Sequence, residues 1–120
     1  MEFTQQNANN NTIISVGESS ISLSHEKLNR PCFISARTTN EVSIKDITEI
    51  DKEFLFPLLT KDSVDLLIIG TGDSPIFLTP KQQIELSSIG LGIECMNNTS
   101  ACSSFNLLLG DLRKVGLLLI

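Results

Sequence analysis

The sequence contains no tryptophan and no tyrosine, and its six phenylalanines are its whole aromatic content. It offers few rings for bases to stack on, and nine Lys/Arg against fourteen Asp/Glu give a net charge of −5 that opposes a phosphate backbone. Nucleic acid is not an expected partner. The same balance disfavours broad adsorption to an anionic membrane surface, and no basic run exceeds Arg113-Lys114. There is one histidine, His25, beside Glu26 in a polar stretch. No GxSxG elbow accompanies it, so a Ser-His-Asp site is not supported and His25 reads as a surface residue. The three cysteines, Cys32, Cys95 and Cys102, form no CxxC pair and no even-numbered disulfide framework. With His25 they are too few and too scattered for zinc, so neither a metal nor another cofactor is expected.

The beginning of the chain, "MEFTQQNANNNTIIS", has no apolar core of a signal peptide and none of the arginines of a presequence. The expected compartment is a reducing cytoplasm, which makes the sequons at Asn10, Asn97 and Asn98 mere pattern matches. Long apolar runs are missing too. The closing "VGLLLI" has six residues, against the roughly 20 of a spanning helix, and extending it backwards would take in Asp111, Arg113 and Lys114. No transmembrane segment is expected. That run reads as a buried last strand.

What is present fits one α/β domain over residues 12–120, preceded by a Gln/Asn-rich tail over residues 1–11. "TIISVGESSISLS" alternates around Gly17-Glu18 and predicts a β-hairpin, "PCFISA" (31–36) a third strand, and "EVSI" (41–44) a short extended piece. Ile47, Ile50, Phe54 and Leu58 have helical spacing, with Pro57 expected to end or kink the helix near Phe56. "VDLLIIG" (64–70) is apolar throughout, as a central strand covered on both faces would be. In "TPKQQIELSSIG", Thr79 at the N-cap, Pro80 at N1, Gln82 at N3 and Gly90 beyond the end mark a capped helix. "IECM" (93–96) is the next strand. Thr99 or Asn98 should cap a last helix bearing Ala101, Phe105, Leu108, Leu109 and Leu112 as its apolar stripe, with Arg113 and Lys114 at its end. The expected architecture is a mixed central sheet of about five strands, with helices packed on it and an N-terminal hairpin layer.

The most suggestive loop is "GTGDSP" (70–75), because glycines after a strand let backbone amides approach an anion. Pro75 stands where a dinucleotide fingerprint needs its third glycine, and no Walker lysine follows, so a plain turn with a solvated Asp73 is the competing reading. Cys102, placed near the start of the last helix, is either a thiol activated by the helix dipole or a small apolar residue; redox sensing fails if it is buried. Asn106, a poor helix former in mid-helix, either closes a hydrogen-bond account or holds a functional loop such as the Gly70–Gly72 turn. Arg113 either pairs with Asp111 at the surface or meets an anionic partner.

The succession "LLIIGTG", "GLGIECM" and "TSACSSFNLLLGDLRKV" resembles one family. It is similar to the small single-domain proteins that include the third assembly factor of mitochondrial complex I (NADH:ubiquinone oxidoreductase) and many bacterial and archaeal relatives. The resemblance is best over residues 64–120 and collinear over 13–63. Gly70, Thr71 and Gly72 match the family's glycine turn, and Met96 the methionine before the last helix. Thr99, Ala101, Cys102, Phe105, Asn106 and Leu108 match the helix pattern, Arg113 and Val115 the closing segment. Ser103, Phe105 and Asp111 depart from the basic residue, tyrosine and glutamate the family favours, and the first departure weakens an anionic-ligand reading. The resemblance implies no established catalysis and, for the mitochondrial relatives, a chaperone-like role in building a respiratory complex through protein contacts.

Two functions follow as expectations. One is a non-catalytic domain with a protein partner, in which self-association also has room. The other is a small-molecule or anion binder, or an enzyme, that uses Gly70, Thr71, Gly72 and Asp73 with Thr99, Asn106 and Arg113 converging on them.

Overall fold

A computed structural model describes residues 11–120; the expected tail over residues 1–10 lies outside the described residues. Asn11, counted with that tail, is buried and donates through Nδ2 to the carbonyl of Ser35 at 2.7 Å.

Among the described residues, eight strands and three α-helices follow one another. The first three strands, β1 (Ile13–Val16), β2 (Ser20–Leu23) and β3 (Lys27–Asn29), form an antiparallel sheet of their own. The expected hairpin is its first half, with Gly17 donating to the Ser20 carbonyl at 2.8 Å across the turn. The third strand was not expected, because "KLN" is too short for its alternation to show; only Leu28 is buried in it. The main sheet comprises β4 (Cys32–Ser35), β5 (Thr39–Glu41), β6 (Leu66–Gly70), β7 (Gly92–Met96) and β8 (Val115–Leu119), in the order β5-β4-β8-β6-β7. β8 runs parallel to β6 and antiparallel to β4, and β7 is parallel to β6, so the sheet is mixed. The closing apolar run thus supplies the middle strand, Val115–Leu119, with every residue of it buried.

Side chains alternate between two cores. Cys32, Ile34, Ile68, Val115, Leu117 and Leu119 face one, while Phe33, Leu67, Ile69 and Leu118 face the other. This explains the unbroken apolar runs: a strand covered on both faces has no wet side to encode. The first core is closed by the N-terminal sheet and by α3 (Asn98–Gly110), the second by α1 (Lys52–Leu59) and α2 (Pro80–Ser87).

α2 follows its sequence signals. Thr79 and Gln82 make the reciprocal capping box, and Gly90 has φ +78°. Four expectations are corrected. The extended piece lies earlier than expected and shares only Glu41 with "EVSI", since β5 is Thr39–Glu41. The 47–56 helix divides into a 3₁₀ turn (Ile47–Glu49) and α1, because Asp46 caps the first and Asp51 caps the second. Pro57 sits inside α1 instead of ending it: six residues past the Asp51 cap it forgoes one helical hydrogen bond, and the helix still closes with the Thr60 amide on the Phe56 carbonyl at 3.1 Å. α3 is capped by Asn97, whose side chain accepts from the Ser100 amide at 2.8 Å, not by Asn98 or Thr99.

The end of α3 also differs from expectation. Leu112 has left the helix, is 89% exposed and takes φ 61°. Its amide donates to the Leu109 carbonyl and that of Arg113 to the Leu108 carbonyl, both at 3.0 Å. This is the Schellman closure, with leucine in the left-handed position where glycine is usual.

Candidate functional site

The glycine turn leaves β6 at the C-terminal edge of the main sheet, against the start of α3. Each glycine has its own cause. A Cβ on Gly70 would lie 2.5 Å from Leu119 Cδ2 and 2.6 Å from Asn98 Oδ1, so glycine lets α3 close down on the strand end. Gly72 has open space around it but φ +90°, a conformation that L side chains rarely adopt.

The Thr71 and Gly72 donors of this turn are directed inward. The Gly72 amide donates to Asn98 Oδ1 at 2.9 Å, and the Asn98 amide returns a bond to the Gly72 carbonyl at 2.8 Å. The Thr71 amide donates to the Met96 carbonyl at 3.1 Å. Thr71 Oγ1 donates to the Ser74 carbonyl and accepts from the Ile76 amide, both at 2.8 Å. An anion cradle needs free amides, and those of Thr71, Gly72 and Ile76 are occupied by the protein itself.

A cleft of about 520 Å³ opens beside the turn. It gathers three of the expected residues, Gly72, Asp73 and Thr99, together with Arg30 and Glu18. Arg30 was not expected here; it arrives from the β3–β4 connection, and no local pattern marks it. Its Nη1 donates to the Ile120 carbonyl at 3.4 Å. Against this one cation stand Glu18 and Asp73, so the lining is acidic on balance and does not favour an anion.

The other expected residues lie elsewhere. Asn106 does not hold the glycine turn. Its Oδ1 accepts from the Ile13 amide at 2.8 Å and its Nδ2 donates to the Ile13 carbonyl at 2.9 Å, so the side chain acts as a neighbouring peptide for the edge of β1. Asn98 is the residue that clamps the turn. In the sequence Asn98 reads only as an alternative to Thr99 for the helix cap.

Cys102 lies in the second turn of α3 and is wholly buried, and burial pushes its thiol up to about 12. The helix dipole does not activate it, and the redox-sensing reading falls on its own condition. Cys32, in the same core, is raised to about 12 by the same cause. Arg113 lines a different cleft, at the far end of α3. It does not pair with Asp111: among the described residues the one contact within 4.0 Å between a basic and an acidic side chain is His25–Glu26, at 3.4 Å. Among the described residues, no three His, Cys, Asp or Glu side chains are grouped to hold a metal ion.

The sequence over residues 13–120 matches the family described as a protein of unknown function (DUF498/DUF598). The chain belongs to that family. A relative from Francisella tularensis subsp. holarctica (strain LVS), the 13 kDa major membrane protein, is 30% identical over 95 residues, covering 77% of this chain and 76% of that protein. NADH dehydrogenase [ubiquinone] 1 alpha subcomplex assembly factor 3 of Bos taurus is 28% identical over 93 residues, covering 75% of this chain. The chain spans about half the length of that assembly factor (50%). Among solved structures, a Bordetella parapertussis protein superimposes with a TM-score of 0.81 at 21% identity, over 94% of this chain and 97% of its own. A Bordetella pertussis protein described as a Mth938-like domain gives 0.78 at 18% identity, over 100% and 92%. These two likenesses bear on the fold alone. No helix among the described residues is long and apolar enough to cross a membrane.

Proposed function

We propose that this DUF498 domain is a non-catalytic interaction protein that works in a reducing, cytoplasmic compartment and binds another protein during assembly of a membrane complex, a respiratory one by analogy with its assembly-factor relatives. The observation that carries this reading is how the molecule distributes its groups. The Thr71 and Gly72 amides of its most site-like turn are consumed internally, while large apolar side chains such as Phe77 (65%) and Ile84 (72%) stand in solvent. The relationship to an assembly factor of NADH dehydrogenase supports the same direction. The small-molecule alternative required Thr99, Asn106 and Arg113 to meet at the glycine turn, and only Thr99 lines the cleft there.

The test is an affinity pull-down of the tagged chain from its own cells, after in-cell crosslinking and mild detergent extraction, read by mass spectrometry. A partner recovered in stoichiometric amount among respiratory or membrane-insertion proteins is expected. Recovery of the chain alone, or only as its own oligomer, overturns the reading.

A further inference from the structure

We propose that the cleft at the C-terminal end of α3 is the docking site for an acidic, apolar-centred segment of a partner protein, with Leu112 as the apolar anchor. This rests on the interaction reading above and adds the partner's chemistry. The cleft, of about 500 Å³, lies between the turn after α1 and the turn after α3. Its cations come from three separate parts of the chain: Arg37, Lys61, and Arg113 with Lys114. These are four of the nine Lys/Arg residues in a chain of net charge −5, gathered at one end of the sheet. The one acid in the lining, Asp62, is already occupied: its Oδ2 accepts from Ser35 Oγ at 2.8 Å and from the Arg37 amide at 3.1 Å. Four cations against one carboxylate leave the cleft cationic on balance, and a concave surface of predominantly one charge sign concentrates the field and selects its opposite.

Beneath the basic rim the floor is apolar, with Leu109 and Val115 buried and Leu59 half-buried. Leu112 stands over it at 89% exposure, held by the helix closure in a backbone conformation leucine disfavours. Glycine would serve that closure with less strain, so helix termination alone gives no reason for a solvated leucine there. An exposed apolar side chain on a fixed backbone, in a cleft it shares with four cations, fits a short peptide with one apolar residue flanked by Asp or Glu. A lipid surface fits less well, because the site is concave, offers one large exposed apolar side chain, and sits on an acidic molecule.

Leu112→Gly separates docking from folding, since it removes the anchor while easing the backbone. The probes are peptides selected from a random phage-displayed library on the full chain, then synthesised and titrated by fluorescence anisotropy. Selected peptides should be enriched in Asp and Glu around one Leu, Ile, Met or Phe. Their affinity should fall about tenfold or more in Leu112→Gly and in the Arg113→Glu/Lys114→Glu pair, with circular dichroism confirming the fold of each. Binding should also weaken as salt rises from about 50 to 300 mM. Peptides without acidic enrichment, or equal binding by both variants, overturn the proposal. So does co-sedimentation of the chain with phosphatidylserine vesicles that the same variants abolish, or a dimer in ultracentrifugation that they dissociate. If the pull-down recovers a partner with wild type and variants alike, the interaction reading stands and this cleft is removed from it. If wild type recovers none, the underlying reading itself falls.

Discussion

Asn98 and Asn106, both on α3, each satisfy a piece of backbone that its own neighbours in sequence leave open: the glycine turn in one case, the edge of β1 in the other. Removing the second amide strands an N–H and a C=O at once. Asn106→Ala should therefore cost about 2 kcal/mol, read as a lower urea midpoint by far-UV circular dichroism, since a chain without Trp or Tyr gives little fluorescence. Asn106→Asp keeps the acceptor for the Ile13 amide but loses the donor, and should fall between wild type and alanine. A second residue prediction concerns Gly70. Its absent side chain makes room for Leu119 and Asn98, so Gly70→Ala should destabilise by about 1–3 kcal/mol through overpacking, in the same denaturation assay. A role of Gly70 in ligand approach alone would leave stability unchanged. The turn was legible as a turn from its two glycines, but the sequence carried no sign that the donors would be spent on Asn98, Met96 and Thr71.

Among the elements, α2 was the most legible because its start and stop signals lie within a few residues of each other, from Thr79 to Gly90. The break before α1 was hidden for the converse reason: Ile47, Ile50, Phe54 and Leu58 keep helical spacing across it, and two aspartate caps, Asp46 and Asp51, decide the division. At the end of α3, periodicity carried Leu112 along as a stripe residue, while the Schellman bonds place it outside the helix. Leu112→Gly should raise stability by about 0.5–1 kcal/mol, the left-handed strain relieved minus the added freedom of the unfolded glycine. A higher melting temperature by circular dichroism checks it. A drop would mean that this exposed leucine packs within the fold. β8 was read correctly as a strand, yet its position in the middle of the sheet, parallel to β6 and antiparallel to β4, came only from the pairing.

For the whole molecule, the two buried thiols set a pH dependence. Cys32 and Cys102 stay protonated in the folded state up to about pH 12, whereas the same groups in the unfolded chain ionise near their ordinary value of 9.0. The folded pKa is raised, so their contribution is fully present below pH 9 and is lost as pH climbs through the window from 9 to 12. In that window each thiol should lower unfolding free energy by up to about 1.4 kcal/mol per pH unit. Urea midpoints at pH 8, 9.5 and 10.5 should fall less steeply in a Cys32→Ala/Cys102→Ala variant than in the native chain. Parallel profiles would show that the thiols are not titrating against burial. Charge is organised at this scale as well. Arg37, Lys61, Arg113 and Lys114 are distant in sequence and collect around one cleft, which net charge alone does not disclose.

The sequence by itself determined what is encoded over a few residues: the capped α2, the hairpin at Gly17, and the doubly covered strands "LLIIG" and "VGLLL", whose lack of alternation states that both faces are buried. The order of those segments, with the glycine turn and the α3 pattern, also carried the family. Tertiary structure alone decided which strand lies in the middle, which asparagine holds which loop, and where the cations gather. The reason is distance along the chain. A helix cap or a strand period is settled by neighbours within a turn or two, whereas Asn106 meets Ile13 across 93 positions. That meeting exists only once α3 and the N-terminal sheet have buried their apolar faces against each other.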